Sequence, residues 1–203
     1  MTPLTVHHDA ATTALSDFRQ DSARKAGMLD DMRQTIELPA TAGANEAGLF
    51  TYLAIPAEEL DAIRTAGRDE AGNVLEIQVA AEGGAPLRCC LREARAGERL
   101  LLIAYTPAGS AGAYAERGPV FIHAERCDGY PEPHAYPAGL LGRQQVVRAY
   151  DRQGRIADGV LVADGHQAQG VIAELLARPE VVLVHLRNVG YGCYNFCVRA
   201  NGG

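Results

Sequence analysis

Arginines flank a cysteine pair at Arg88-Cys89-Cys90-Leu91-Arg92, and this is where the chain's chemistry concentrates first. A neighbouring guanidinium favours the thiolate, which is the nucleophilic form of cysteine. Consecutive residues of an extended segment face opposite ways, so only one of the two thiols is expected to line a cleft. Cys90 is the candidate nucleophile, with His123 or His185 as its base. Against this stands the ordinary role of a free cysteine as a small buried apolar residue.

A second pattern is a set of arginines beside strand-like stretches: Arg88, Arg92, Arg148 and Arg187. A guanidinium binds carboxylate or phosphate through two parallel hydrogen bonds, so converging arginines suit a small anion. Alternation along VVLVHLR (181–187) puts His185 and Arg187 on one face with Leu183, away from the expected core. His123 shares a face with Phe121 and Glu125 in the same way. Tyr114 and Glu116 could hold a ligand hydroxyl or exchange a proton. The competing reading pairs these arginines with Glu116, Glu125 or other acids as structural ion pairs.

Metal binding is the third pattern. His123 and Cys127 are four apart, as are Cys193 and Cys197, and zinc takes three or four such ligands. That spacing brings ligands together on a helix, whereas both stretches read as strands, and no Cys-x-x-Cys is present. No metal ligand and no cofactor is therefore assigned. His123-Ala124-Glu125 matches the His-x-Glu of zinc deaminases, but no Pro-Cys-x-x-Cys accompanies it. A phosphate-binding P-loop, a Gly-x-Ser-x-Gly elbow and a complete dinucleotide fingerprint are all missing.

The elements that must position these groups follow from periodicity. Leu15, Phe18, Ser22, Lys25, Leu29, Met32 and Ile36 form one helical stripe, read as an amphipathic arm docked on its own domain or on a second subunit. Pro39 ends it, and residues 39–48 read as a linker. LFTYLAIP (49–56) reads as a strand, 57–66 as a helix with Glu58 and Glu59 in its first turn, and Gly67 as its C-cap. Strands are expected at 74–80, 99–105, 119–124, 145–150 and 156–163, with a hairpin loop at Asp151–Gly154. A second helix runs from Asp164 to before Pro179, and strands 181–187 and 194–200 close the chain. Runs of strands with few crossover helices give an α+β fold: a mainly antiparallel sheet, two short helices and the N-terminal helical arm. Residues 1–47 are expected to be arm and linker, and 48–203 a single domain.

Composition narrows the class. The 203 residues carry a formal charge of −6, with 47% apolar and 22% charged residues. No apolar run reaches the ~18–20 residues of a membrane span. An acid surplus argues against nucleic acid, which needs a surplus of basic residues. The charge is uneven: −3 over residues 1–47, −5 over 48–85 and +2 over 86–203, so the C-terminal part is compatible with a small anion. Five cysteines, an odd number, and the lack of a signal-like start point to a cytoplasmic protein with reduced thiols.

The segments PLRCCLR (86–92), GERLLLIAYTP (97–107), YAERGPVFIHAERC (114–127), VVRAY (146–150) and VHLRNVGYGCYNFCVRA (184–200) resemble an uncharacterised bacterial family, catalogued as domain of unknown function 1203. The resemblance runs from about Leu49 to the C-terminus and implies a single-domain bacterial protein without an assigned activity. The function expected from the residues is binding of a small carboxylate or phosphate by Arg88, Arg92, Arg148 and Arg187. Tyr114 and His185 would orient the ligand, and any catalysis would use His123, Glu116 or Cys90. The alternative is a non-catalytic interaction module that forms a homodimer through the N-terminal helix, its arginines and histidines being structural.

Overall fold

The computed structural model describes residues 48–201, so the arm and linker expected over 1–47 lie outside the described residues. In chain order the elements are β1 (Phe50–Leu53), α1 (Ala57–Ala66), β2 (Ile77–Val79), β3 (Pro86–Leu87), β4 (Arg92–Glu93), β5 (Arg99–Tyr105), β6 (Gly118–His123), β7 (Gln145–Asp151), β8 (Ile156–Val162), α2 (Gly165–Leu176), β9 (Val181–Asn188) and β10 (Tyr194–Ala200). Two helices and mainly antiparallel strands make an α+β fold. The strands divide between two five-stranded sheets, where a single sheet was expected. The first has the order β1-β10-β9-β7-β8 and the second β2-β5-β6-β3-β4. Among the described strands only β3 and β6 pair in parallel.

Local chemistry accounts for both helices. Glu58 and Glu59 sit in the first turn of α1, and Gly67 caps it in the left-handed region at φ 64. Asp164 accepts the Gln167 N–H at the start of α2, while Gln167 Oε1 accepts from Ala163 N–H. The strand expected over 74–80 shrinks to Ile77–Val79, all three exposed at a sheet edge, so burial adds little to hold it. β3 and β4 have two residues each, too short for alternation to reveal.

The layers follow from which faces are buried. Val147, Ala149, Val184, Leu186, Phe196 and Val198 pack with Ala168, Ile172 and Leu175 of α2. The opposite face of that sheet, carrying Tyr150, Leu183, Tyr194 and Cys197, packs with Leu101, Ile103, Val120 and Ile122 of the second sheet. The first sheet is therefore covered on both sides. This corrects the expectation that His185 and Arg187 lie away from the core: they are 0% and 9% exposed. Alternation identified their shared face, but a second sheet covers it.

His185 is accommodated as a neutral core residue. Its ring lies 4.5 Å from that of Tyr150 and 5.1 Å from that of Tyr194, centroid to centroid. Its Nε2 is 2.9 Å from the Ala108 carbonyl, the geometry of a donated hydrogen bond. The adjacent Gly109 has φ 103, and a Cβ there would meet Leu183 Cδ2 at 2.4 Å, so only glycine lets this loop lie so close. Burial pushes the imidazole down to about 4, with Arg187 and Arg148 adding to the effect.

Between pH 6.5 and 4 the unfolded chain binds a proton at this position that the folded chain does not. The contribution is complete above pH 6.5 and is lost as pH falls. We expect acidification from pH 7.5 to 4.5 to remove ~2–3 kcal/mol through this group. Urea unfolding at both pH values should show His185→Gln losing that much less than the wild type. Equal losses in the two proteins would mean another group titrates.

Candidate functional site

β3 and β4 are joined by the turn Arg88–Leu91, closed by Leu91 N–H donating to the Leu87 carbonyl at 2.9 Å. Leu91 has φ 55, the only positive φ at a non-glycine among the described residues. The segment is thus not extended, and Cys89 and Cys90 turn to the same side. Their sulfurs are 3.9 Å apart, and His123 Nδ1 lies 3.4 Å from Cys89 and 3.9 Å from Cys90. This corrects the expectation that only one of the pair faces the site. His123 is the last residue of β6, and Cys127 lies beyond the strand, where the chain has turned. The four side-chain ligand atoms of Cys89, Cys90, His123 and Cys127 fall within 4.8 Å of one another. The strand argument that set His123 and Cys127 apart therefore fails, because the strand ends between them. Cys193, Cys197 and His185 form no such group among the described residues.

Polar neighbours hold the imidazole in place. Arg92 is bidentate to Glu98 at 3.0 and 2.8 Å, and its Nη2 is 3.0 Å from His123 Nε2. Glu98 Oε2 is 3.6 Å from the same nitrogen. Arg92 is the main reason the Glu98 carboxyl is held down to about 2. From α1, Arg64 donates to the carbonyls of His123 and Ala124, both at 3.1 Å. Within the thiol group, hydrogen bonds from Cys89 and Cys90 hold the Cys127 thiol well below the usual thiol range. The same bond to Cys127 pushes Cys90 up to about 11, with burial adding to the rise.

The remaining predicted residues lie elsewhere. Arg148 Nη1 is 3.0 and 2.9 Å from the two Glu116 oxygens, and Arg187 Nη2 is 2.6 Å from Glu116 Oε2. Arg187 also donates to the Gly192 carbonyl at 2.9 Å. Two arginines thus share one carboxylate. Tyr114 is 42% exposed, in a short 3-10 turn at Gly112–Tyr114.

Arg88 points a third way, into a cavity of about 790 Å³ walled by Leu102, Pro119, Phe121, Val189 and Tyr191, with Arg143 beside it. Arg143 was not anticipated, and nothing in its surroundings in sequence marks it. The wall at 188–193 is the glycine-containing loop Asn188–Cys193 that leads from β9 into β10. Glu98, also unanticipated, lies in a segment noted for its apolar strand rather than for its acid. The four arginines therefore divide three ways: Arg92 with His123 and Cys90, Arg148 and Arg187 with Glu116, and Arg88 at the cavity.

A family model described as a protein of unknown function (DUF1203) matches residues 84–200. That range includes the thiol group, the Glu116 cluster and the cavity arginines. No curated protein and no solved structure matches the chain.

The shared carboxylate yields a direct test. Removing it leaves Arg187, whose side chain is 10% exposed, without an acid partner. A half-exposed glutamate places the cost between that of a surface pair and a buried one. We expect Glu116→Gln to lose ~1–2 kcal/mol in urea unfolding at neutral pH. An unchanged midpoint would show that solvent compensates both arginines.

Proposed function

The chain belongs to the DUF1203 family, whose description carries no activity, and we propose from the site that it binds a small organic anion with an apolar body. Arg88 carries this reading. Its residue is 2% exposed, and no carboxylate pairs with it among the described residues. A guanidinium has five N–H donors. Two are used, one from Nε to the Tyr194 carbonyl at 2.7 Å and one from Nη1 to the Pro86 carbonyl. The other three have no protein acceptor among the described residues. Burial lowers this guanidinium to about 10, so it stays charged at neutral pH. An unpaired buried cation is costly, and an anion in the adjoining cavity would relieve it.

The walls support an amphipathic ligand. Leu102 and Phe121 are cross-strand partners on β5 and β6, and they offer an apolar floor beside the guanidinium. Arg143, held by Glu93 at 2.8 Å, adds a second cation. Tyr191, 92% exposed, adds an aromatic ring at the rim. The role assigned to the cavity is binding. All five cysteines are free, which fits a reducing cytoplasm.

Thermal-shift titration with acetate, hexanoate, benzoate and phenyl phosphate tests the proposal. The apolar acids should stabilise the protein more than acetate, by ~2.7 kcal/mol at a hundred times Kd. Arg88→Met should weaken binding about tenfold to a hundredfold, since a charge-assisted hydrogen bond contributes ~1.5–3 kcal/mol. That variant removes an unpaired buried charge and should fold at least as well as the wild type. Arg143→Leu should weaken binding less. No shift with any anion, or equal shifts in wild type and Arg88→Met, would refute the assignment.

A further inference from the structure

The geometry points to a second site, independent of the anion cavity: Cys89, Cys90, Cys127 and His123 form a closed Cys3His site for a tetrahedral, zinc-class dication. Bonds of about 2.3 Å to sulfur and 2.05 Å to nitrogen give a tetrahedron with S–S edges of ~3.8 Å and S–N edges of ~3.6 Å. The sulfurs of Cys89 and Cys90 are 3.9 Å apart, and the two S–N distances to His123 Nδ1 are 3.4 and 3.9 Å. These three edges already have tetrahedral length. Cys127 completes the figure from within 4.8 Å of the others.

Two further features fit a metal better than a chance meeting of thiols. Successive cysteines reach one centre because the chain closes a turn at 88–91, with Leu91 N–H donating to the Leu87 carbonyl at 2.9 Å and Leu91 itself left-handed. The surroundings also carry what metal ligands require. His123 N–H lies 3.4 Å from Cys89 Sγ and points a donor at it. Glu98 stands 3.6 Å from His123 Nε2, as the carboxylate that orients a ligating histidine.

Binding an ion here shifts the imidazole proton and releases thiol protons. Arg92 Nη2 donates toward Nε2 at 3.0 Å, so that nitrogen is the acceptor and the proton sits on Nδ1, facing the thiols. A cation on Nδ1 requires the other tautomer. Its Nε2–H then donates to Glu98, and Arg92 keeps its bonds to that carboxylate and to the Glu93 carbonyl. The thiol protons leave to solvent as the ion binds. With four protein ligands no coordination position stays open, so the ion is structural and ties the β3–β4 turn to the end of β6.

Cobalt titration of the reduced, chelator-treated full chain decides the matter. We expect one Co2+ per chain, with the visible bands of a tetrahedral thiolate site, bleached by one equivalent of Zn2+. Zn2+ should also raise the unfolding temperature. Glu98→Gln should keep the cobalt spectrum and weaken Zn2+ affinity about tenfold to a hundredfold, as loss of an outer-shell partner does. Cys127→Ser should lose sulfur-to-cobalt charge-transfer intensity. If that variant does not fold, the charge-transfer intensity of the wild type against a three-thiolate standard replaces it. A folded, reduced wild-type chain that gives no tetrahedral cobalt spectrum overturns the site. So does a spectrum unchanged in a folded Cys127→Ser. Organic-anion binding is measured separately, so failure of either site leaves the other standing.

Discussion

The closed β3–β4 turn, which ends on the left-handed backbone of Leu91, sets the direction of the reactive groups it carries. At φ 55 a leucine bears ~1–2 kcal/mol of steric cost that glycine would not. Its side chain is 2% exposed in the core that also holds Tyr136 and Leu140. Burying a leucine contributes ~1.5–3 kcal/mol, which outweighs the strain. Glycine would relieve the backbone and forfeit that anchor. Hydrogen bonds on both sides hold the turn: Arg88 N–H donates to Phe121 and Ile55 N–H to the Arg88 carbonyl, each at 2.9 Å. Arg88 is thereby directed at the cavity, the two cysteines at His123, and Arg92 at Glu98.

Buried and half-buried cations are treated in two ways. Arg148 and Arg187 are offset by Glu116, which approaches both. Arg88 has carbonyls only, and these satisfy donors without cancelling charge. His185, near the first pair, avoids the problem by staying neutral, since desolvation and two nearby guanidinium groups all disfavour its protonated form. The interior tolerates ionic chemistry where a carboxylate reaches it. Arg88 is the exception, and the exception adjoins the large cavity.

Much of the fold was legible because it rests on signals local in sequence. The 57–66 helix has its acids and its C-cap glycine, α2 has its aspartate cap, and the long strands have their apolar runs. What escaped was what depends on partners distant in the chain. A second sheet covering the first turned an apparently outward face of β9 into a buried one. Two-residue strands have no period to read. Extended backbone at 88–92 would separate Cys89 from Cys90, whereas the chain there folds into a closed turn. Arginine as a residue type signalled anion chemistry, but guanidinium groups reach far. Only packing decides which of them meets an internal carboxylate.

The two candidate sites share the turn, and this constrains how it can behave. Arg88 and Cys89 are adjacent, so a backbone shift that carries Arg88 away from the cavity also displaces Cys89. An anchor for a small anion is effective when it is already oriented, because ordering a flexible arginine on binding costs ~0.5–1.5 kcal/mol. Here the orientation is fixed from outside the cavity. Cys89 and Cys90 meet His123 at the end of β6, and Arg64 of α1 grips the carbonyls of His123 and Ala124. Rigidity at the thiol group thus reaches the anion site through one peptide bond, and the cavity can remain broad and apolar while its single unpaired cation stays in place.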